Sequence, residues 1–354
     1  MQHISYNNFL PILSAFLLLH PYKSARSWEI KDLTEVIEQE GEDFDINTDP
    51  HVIETCKHYI PEISLNLHKG QLGRVGVFGG SLEYTGAPFF GAMAALRTGA
   101  DMAYIFCAKQ ASTAIKAYSP ELMVLPCLEM DNAIERMKPW LVKLNAILIG
   151  PGLGRHDEKV TDNVIRVIDF YREKWEQSLP LIIDADGIYL ILDNLNLLAD
   201  YPGQVFLTPN MVEFAEIAHR ILEVDRKTVT PEKHLRELSK RFGPKVLILL
   251  KGKQDLIAQD YLIVKSMVEG SARRSGGQGD LLAGCLATFS AWLDKSEYYD
   301  CGNYTPEVIV AFSASAVIKL ANKLAYQEKG RGLIASDMLK KIHTAYDILF
   351  GLPV

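Results

Sequence analysis

The strongest constraint on this chain is an alternation. From about residue 70, short runs rich in Val, Ile, Leu and Phe recur, with longer stretches of helical periodicity between them. The runs at 74–78, 102–106, 146–149, 181–184, 205–207 and 246–250 read as strands covered on both faces, and segments such as 87–98, 159–175 and 213–222 read as the helices that cover them. Such a pattern predicts an α/β fold with a mostly parallel central sheet flanked by helices on both faces. After Lys251 the pattern changes. Apolar runs at 256–258 and 261–264, separated by Gln259-Asp260, predict an antiparallel hairpin at a sheet edge. Two long helices over 280–293 and 307–328, a polar loop over 294–305 and a last helix over 336–349 complete the expected order.

Sheets of this kind bind ligands beyond the carboxyl ends of their strands. Polar and glycine-rich residues fall there repeatedly: Gly79-Gly80-Ser81, Gly150 to Gly154, Asp184 to Gly187, Thr208 to Glu213, and Lys251 to Asp255. Any one of these is ordinary turn chemistry. Their common placement at one edge predicts a shared site.

The densest of these features is Ser271-Ala-Arg-Arg-Ser-Gly-Gly-Gln-Gly-Asp280, which runs straight into the apolar stretch 281–293. Gly276, Gly277 and Gly279 let the backbone approach a ligand closely, and the free N–H groups of a helix start suit an anion such as phosphate. Asp280 stands at the mouth of that cradle. Amides that hold developing charge beside one carboxylate that takes a proton suit phosphoryl transfer to a hydroxyl. A lone Gly-Asp is more often a helix cap; the glycine cluster with Arg273 and Arg274 upstream favours the anion site. Asn210 and Glu213, three apart at a helix start, fit two readings: a reciprocal cap, or a carboxamide and carboxylate that organise Mg²⁺ through its water shell.

Other chemistries are disfavoured. No GxxxxGK[ST] loop is present, and the glycines at 73–79 and 150–154 have the wrong spacing for GxGxxG. The 354 residues carry a net charge of −7, which argues against a general nucleic-acid binder. Five scattered cysteines with no CxxC, and histidines with no HExxH, indicate neither a disulfide framework nor a zinc site. Residues 1–50 differ from the rest. The apolar stretch 9–19, with Lys23 and Arg26 after it, is too short for a membrane span and reads as mitochondrial or secretory-pathway targeting, with a cytoplasmic location left open. Residues 29–49 hold nine acids against one Lys, an acidic linker. The expected organisation is therefore a targeting segment and linker over 1–50 and one catalytic domain over 51–354.

The set Gly79-Gly80-Ser81, Tyr84 to Pro88, Ala95 to Ala100, Gly150 to Gly154, Asp184 to Gly187, Pro209 to Phe214, Lys251-Gly252 and Gly270 to Asp280 resembles the ATP-dependent NAD(P)H-hydrate dehydratases, within the ribokinase-like superfamily. The resemblance runs from about residue 60 to the C-terminus and rests on the order of the motifs; Ser275 departs from the Cys expected in many relatives. It implies a ribokinase-like fold and a repair reaction, in which ATP drives dehydration of the S form of hydrated NADH or NADPH (NADHX, NADPHX) to NAD(P)H, ADP and phosphate. In the roles it implies, Asp280 is the base, and Lys251, Gly252, Lys253, Gln254 and Asp255 line the ATP site. Gly270, Ser271, Ala272, Arg273, Arg274, Ser275, Gly276, Gly277, Gln278 and Gly279 complete that site. The hydrated dinucleotide is assigned to Gly152, Gly154, Asn210, Met211, Val212, Glu213, Phe214, Ala215, Glu216 and Asp280, with Mg²⁺ near Glu213. The pathway partner is an epimerase on a separate chain; no nucleic acid and no stable membrane span are expected, and a homo-oligomer is left open. The alternatives are a ribokinase-like kinase for a vitamin or sugar, which would release a stable phosphoester, and a non-catalytic nucleotide sensor, which would tolerate loss of Asp280.

Overall fold

The computed structural model describes residues 44–45, 50–173, 179–293 and 299–351. The expected targeting segment and most of the acidic linker lie outside the described residues. The strands are β1 (Phe44–Asp45), β2 (Arg74–Phe78), β3 (Met102–Cys107), β4 (Met123–Pro126), β5 (Ala146–Ile149), β6 (Leu181–Ile183), β7 (Val205–Leu207), β8 (Val246–Leu250), β9 (Asp255–Gln259) and β10 (Leu262–Ser266). They form one sheet in the order β1-β10-β9-β8-β7-β6-β5-β2-β3-β4. Only β9 runs against its neighbours among the described strands; every other pairing is parallel. The β9–β10 hairpin lies toward one edge as the sequence predicts, with the two-residue β1 outside it.

The helices are α1 (Pro50–His58), α2 (Gly86–Thr98), α3 (Lys109–Tyr118), α4 (Ala133–Leu141), α5 (Glu158–Arg172), α6 (Asp186–Asp193), α7 (Asn196–Ala199), α8 (Met211–Leu222), α9 (Pro231–Phe242), α10 (Gln278–Leu293), α11 (Pro306–Lys329), α12 (Ala335–Leu339) and α13 (Ile342–Phe350). They divide between the two faces because strand side chains alternate. In β5, Ala146 and Leu148 join the core packed by α2, α10 and α11, whereas Ile147 and Ile149 join the core packed by α5, α6 and α8. Burial on both faces is why these strands are apolar without alternation.

The single helix expected over 336–349 is two. The chain turns at Lys340-Lys341, where the Lys341 N–H donates to the Met338 carbonyl at 2.8 Å. The turn lets Met338, Ile342, Ala345 and Phe350 all reach the same core. Strand β4 escapes the sequence pattern because it is an edge strand, half-buried throughout and closed by Pro126. Helix α11 has the length and hydropathy of a membrane span, yet 78% of its apolar window is buried inside the protein.

Helix α10 matters most for the site, because it carries Asp280. It crosses α2 at two glycines, and a Cβ on Gly284 would lie 2.0 Å from the Gly91 carbonyl oxygen. The Thr288 hydroxyl then donates to the Ala95 carbonyl at 3.1 Å. Backbone contact of this kind fixes where the first turn of α10 stands.

Candidate active site at the carboxyl edge of the sheet

Strands β8, β7, β6, β5 and β2 are consecutive in the sheet, so the segments after them lie side by side along one edge. Asp184, at the end of β6, is the centre of that edge. It is 1% exposed, and its Oδ1 accepts hydrogen bonds from the Thr208 hydroxyl at 2.9 Å and from Lys251 Nζ at 2.6 Å. Lys251 follows β8, and its backbone N–H donates to the Pro209 carbonyl at 2.8 Å. Its ammonium lies 4.0 Å from Glu213 Oε2.

Glu213 is also part of a reciprocal helix cap. The Asn210 side chain accepts from the N–H groups of Val212 (2.8 Å) and Glu213 (3.0 Å), and Glu213 Oε2 accepts from the Asn210 N–H at 2.8 Å. The capping arrangement is thus present, and the capped carboxylate still faces Lys251.

Asp280 enters from α10. Its carboxyl is raised to about 7, chiefly by burial and then by the charge of Asp184, with Lys251 opposing and Glu213 adding to the rise. Burial also pushes Glu213 up, against the pull of Lys251. Burial works against the Lys251 ammonium, but Asp184, Glu213 and Asp280 outweigh it and hold its pKa above the ordinary lysine value. Three carboxylates thus share one cation at the edge of the sheet.

The glycine loop approaches this cluster closely. Gly277 has φ +87°, and a Cβ there would sit 2.8 Å from the Ala335 Cβ and 3.0 Å from the Phe90 ring, so no other residue fits. A Cβ on Gly279 would lie 3.2 Å from Lys251 Nζ, which places the start of α10 beside the ammonium. The loop is held by the Gln278 amide, which donates to the Ser275 hydroxyl at 3.0 Å and to the Arg273 carbonyl at 3.2 Å. Arg273 Nη1 donates to the Arg274 carbonyl at 2.7 Å, and its buried Nε has no protein partner.

No group of three or more His, Cys, Asp or Glu is placed to hold a metal among the described residues. Glu213 has one carboxylate oxygen engaged by the cap. This donor set fits Mg²⁺ held mainly by phosphate oxygens and water, and does not fit an all-protein cage.

The NAD(P)H-hydrate dehydratase family model matches residues 75–344. The ATP-dependent (S)-NAD(P)H-hydrate dehydratase of Pediculus humanus subsp. corporis is 41% identical over 307 residues, 83% of this chain and 96% of that protein. Its counterpart in Drosophila melanogaster is 42% identical over 305 residues, 85% and 94% of the two chains. The chain belongs to the NAD(P)H-hydrate dehydratase family. Solved structures carry the fold alone. A Bacillus subtilis ADP/ATP-dependent NAD(P)H-hydrate dehydratase, co-crystallized with ATP/Mg²⁺, superposes with a TM-score of 0.61 at 22% identity, covering 84% of this chain and 97% of that one. A ribokinase-like superfamily protein from Enterococcus faecalis gives 0.68 at 22% identity, covering 84% and 94%.

Within this family framework the sequence-assigned residues fall into groups. Lys251, Asn210, Glu213, Gly279 and Asp280 come together at the sheet edge as described. Gly152 and Gly154 lie on the neighbouring loop, where the Gly152 carbonyl accepts from the Gly80 N–H at 3.0 Å and the Gly154 N–H donates to Asp186 Oδ2 at 3.0 Å. Met211 and Val212 are exposed at the start of α8 and Ala215 is half-buried there, whereas the Phe214 side chain is in the core. Glu216 turns to Arg220 at 2.8 Å and Arg226 at 2.5 Å, and these partners hold its carboxyl down at about 2.

Asp255 is a buried anchor. Its Oδ1 accepts from the Gly252 N–H at 2.8 Å and pairs with Lys319 at 2.9 Å, and its Oδ2 accepts from the Ser315 hydroxyl at 2.8 Å. Lys319 also binds the carbonyls of Gly252 (2.5 Å) and Lys253 (3.1 Å), and Asn322 Oδ1 accepts from the Ser271 N–H at 2.5 Å. The segments 251–255 and 270–271 are therefore both pinned by α11. Sequence reading missed these supports, although Ser315, Lys319 and Asn322 recur at helical spacing on an otherwise apolar helix. It placed Asp184 at the shared edge but gave it no role.

Proposed function

We infer that this protein is an ATP-dependent dehydratase acting on the S form of hydrated NADH and NADPH. The observation that carries the reading is the placement of Asp280. A carboxyl raised to about 7 stands in the first turn of α10, between a glycine cradle and Lys251, inside the region matched by the family.

In this reading the ring hydroxyl of the hydrate lies against Asp280, which takes its proton as the hydroxyl oxygen attacks the γ-phosphorus of ATP. The bond from that phosphorus to the bridging oxygen breaks, and ADP leaves. The amides of Gly276 to Gly279 hold the transferred phosphoryl group. Phosphate then departs from the ring with the electrons of the C–O bond, a ring proton is lost, and NAD(P)H is restored. The Arg273 Nε with no protein partner is a donor available to phosphate. The segments 251–255 and 270–279 line ATP, and Gly152, Gly154 and the start of α8 from Asn210 to Glu213 face the dinucleotide, while the Phe214 side chain packs in the core and Glu216 pairs with Arg220 and Arg226. Bound Mg²⁺ would neutralise phosphate charge, with Glu213 on its water shell. A separate epimerase would convert the R hydrate into the S form that this site takes. Residues 1–50 serve targeting and linkage, apart from Phe44–Asp45, which pair with β10, and Pro50, which opens α1; 51–354 perform the catalysis.

The test incubates purified protein with S-form hydrated NADH, Mg²⁺ and either ATP or ADP, following the absorbance of the reduced ring and free phosphate. NADH and phosphate appearing together, with ATP as the better donor, is the expected result. A stable phosphoester without NADH would make the protein a small-molecule kinase.

A further inference from the structure

A cavity of about 290 Å³ opens on the far side of Gly154, between the start of α5 and helix α6. Its lining includes Gly154, Arg155, Glu158, Asp162, Asp186 and Tyr189. Asp186 ties it to the active edge, because it accepts from the Gly154 N–H at 3.0 Å and lies two residues after Asp184. Neither the anion cradle nor the cluster around Lys251 uses this space.

The topology says what remains to be housed there. ATP is assigned to the loops after β8 and before α10. The hydrated ring must reach Asp280, so the rest of the dinucleotide extends the other way along the sheet edge, past β6 to β5. Gly152 and Gly154 lie on that path, and the cavity is the next space. Its volume is of the order a nucleoside occupies, since whole small-molecule pockets start at about 300 Å³.

The chemistry of the walls is specific. The Arg155 guanidinium lies 3.4 Å from the centre of the Tyr189 ring, and its Nε binds Asp186 at 2.6 Å. Its charge is thus engaged, and with 49% of the side chain exposed its outer face offers a planar surface for a base. Glu158 and Asp162 are exposed on the opposing helix and form no ion pair among the described residues. Carboxylates accept hydrogen bonds from a ribose diol, as acidic residues do for the 2′-hydroxyl in dinucleotide sites, and they repel a 2′-phosphate.

We propose that this cavity receives the adenosine half of the hydrated dinucleotide, and that its acidic wall makes NADHX a better substrate than NADPHX. The inference rests on the dehydratase reading above. Steady-state KM values for NADHX, NADPHX and ATP test it in the wild type and in a Glu158→Gln/Asp162→Asn double variant, whose exposed substitutions spare the core. In low salt the wild type should show a KM for NADPHX about tenfold above that for NADHX, a factor of the size that like charges across a wet contact produce. The double variant should narrow the ratio to about threefold or less by lowering the NADPHX value, leaving the KM for ATP unchanged, and added salt should narrow the wild-type ratio in the same direction. Equal wild-type values, or a ratio that neither the variant nor salt moves, would overturn the inference and leave the dehydratase reading standing. Failure of the wild type to turn over either hydrate would remove both.

Discussion

Replacing Asp280 with Asn separates the chemistry of this carboxyl from its structural cost. The carboxyl moves from an ordinary 3.8 to about 7 in the folded protein, so its ionised form is disfavoured there. A shift of that size corresponds to about 4 kcal/mol as an upper bound; water reaching the partly exposed group leaves on the order of 1–3 kcal/mol. The sign follows from proton binding. Between the two values the folded state holds a proton that the unfolded chain has lost, so stability falls as pH rises through this window, and above about 7 the full penalty applies. Asn carries no charge and escapes it. The variant should melt several degrees higher than wild type at pH 8, and the gain should fade toward pH 4. Turnover should move the other way, falling by about 10²–10⁴ with nucleotide binding retained. In the wild type, kcat/KM should fall on the acid side with an apparent pKa near 7. Thermal melts at the two pH values and initial rates across the range read all three effects. A variant that keeps more than about a tenth of the wild-type rate refutes Asp280 as the base. A variant no more stable at pH 8 refutes the crowding of charge around it.

Two further outcomes follow from named contacts. Glu213→Gln should require several-fold more Mg²⁺ at saturating ATP while the KM for the hydrate changes little, whereas a metal titration that superposes on wild type would leave Glu213 as the cap partner of Asn210 alone. A chain beginning at Pro50 should fold and turn over; one beginning at Thr55 should melt earlier, because it loses the first turn of α1 and the contact of Val52, which is 2% exposed, and a Pro50 chain that folds but is inactive would give residues 1–49 a part in the site.

Most of the sheet was legible because its strands are buried on both faces and therefore apolar throughout, as in Val246–Leu250 and Ala146–Ile149. The glycine loop was legible because Gly277 has no substitute in its conformation and space. What stayed hidden depends on contacts distant in sequence. Lys319 lies 64 residues beyond Asp255, its ion-pair partner (319 − 255). Asp184 reads as the polar end of a strand until the fold brings Lys251 and Thr208 to it. The two-helix ending was missed because Lys340 and Lys341 are good helix formers, and the turn between them is imposed by the core that both flanking segments share.

The charge arrangement of the site bears on how it handles a triphosphate. Asp184, Glu213 and Asp280 surround a single ammonium, and that ammonium already donates to Asp184 at 2.6 Å. Such a cluster repels phosphate unless other positive charge arrives. In the proposed reading the α10 amides and Arg273 would supply part of it, and a divalent cation carried in on the nucleotide would supply the rest. The same repulsion keeps Asp280 near the midpoint of its titration at neutral pH, where it can take a proton from the hydroxyl and release it after phosphate leaves. Moving Asp184 away would lower that midpoint and make a weaker base, so the buried Asp184–Thr208–Lys251 contact, which touches no substrate in this reading, tunes the residue that does.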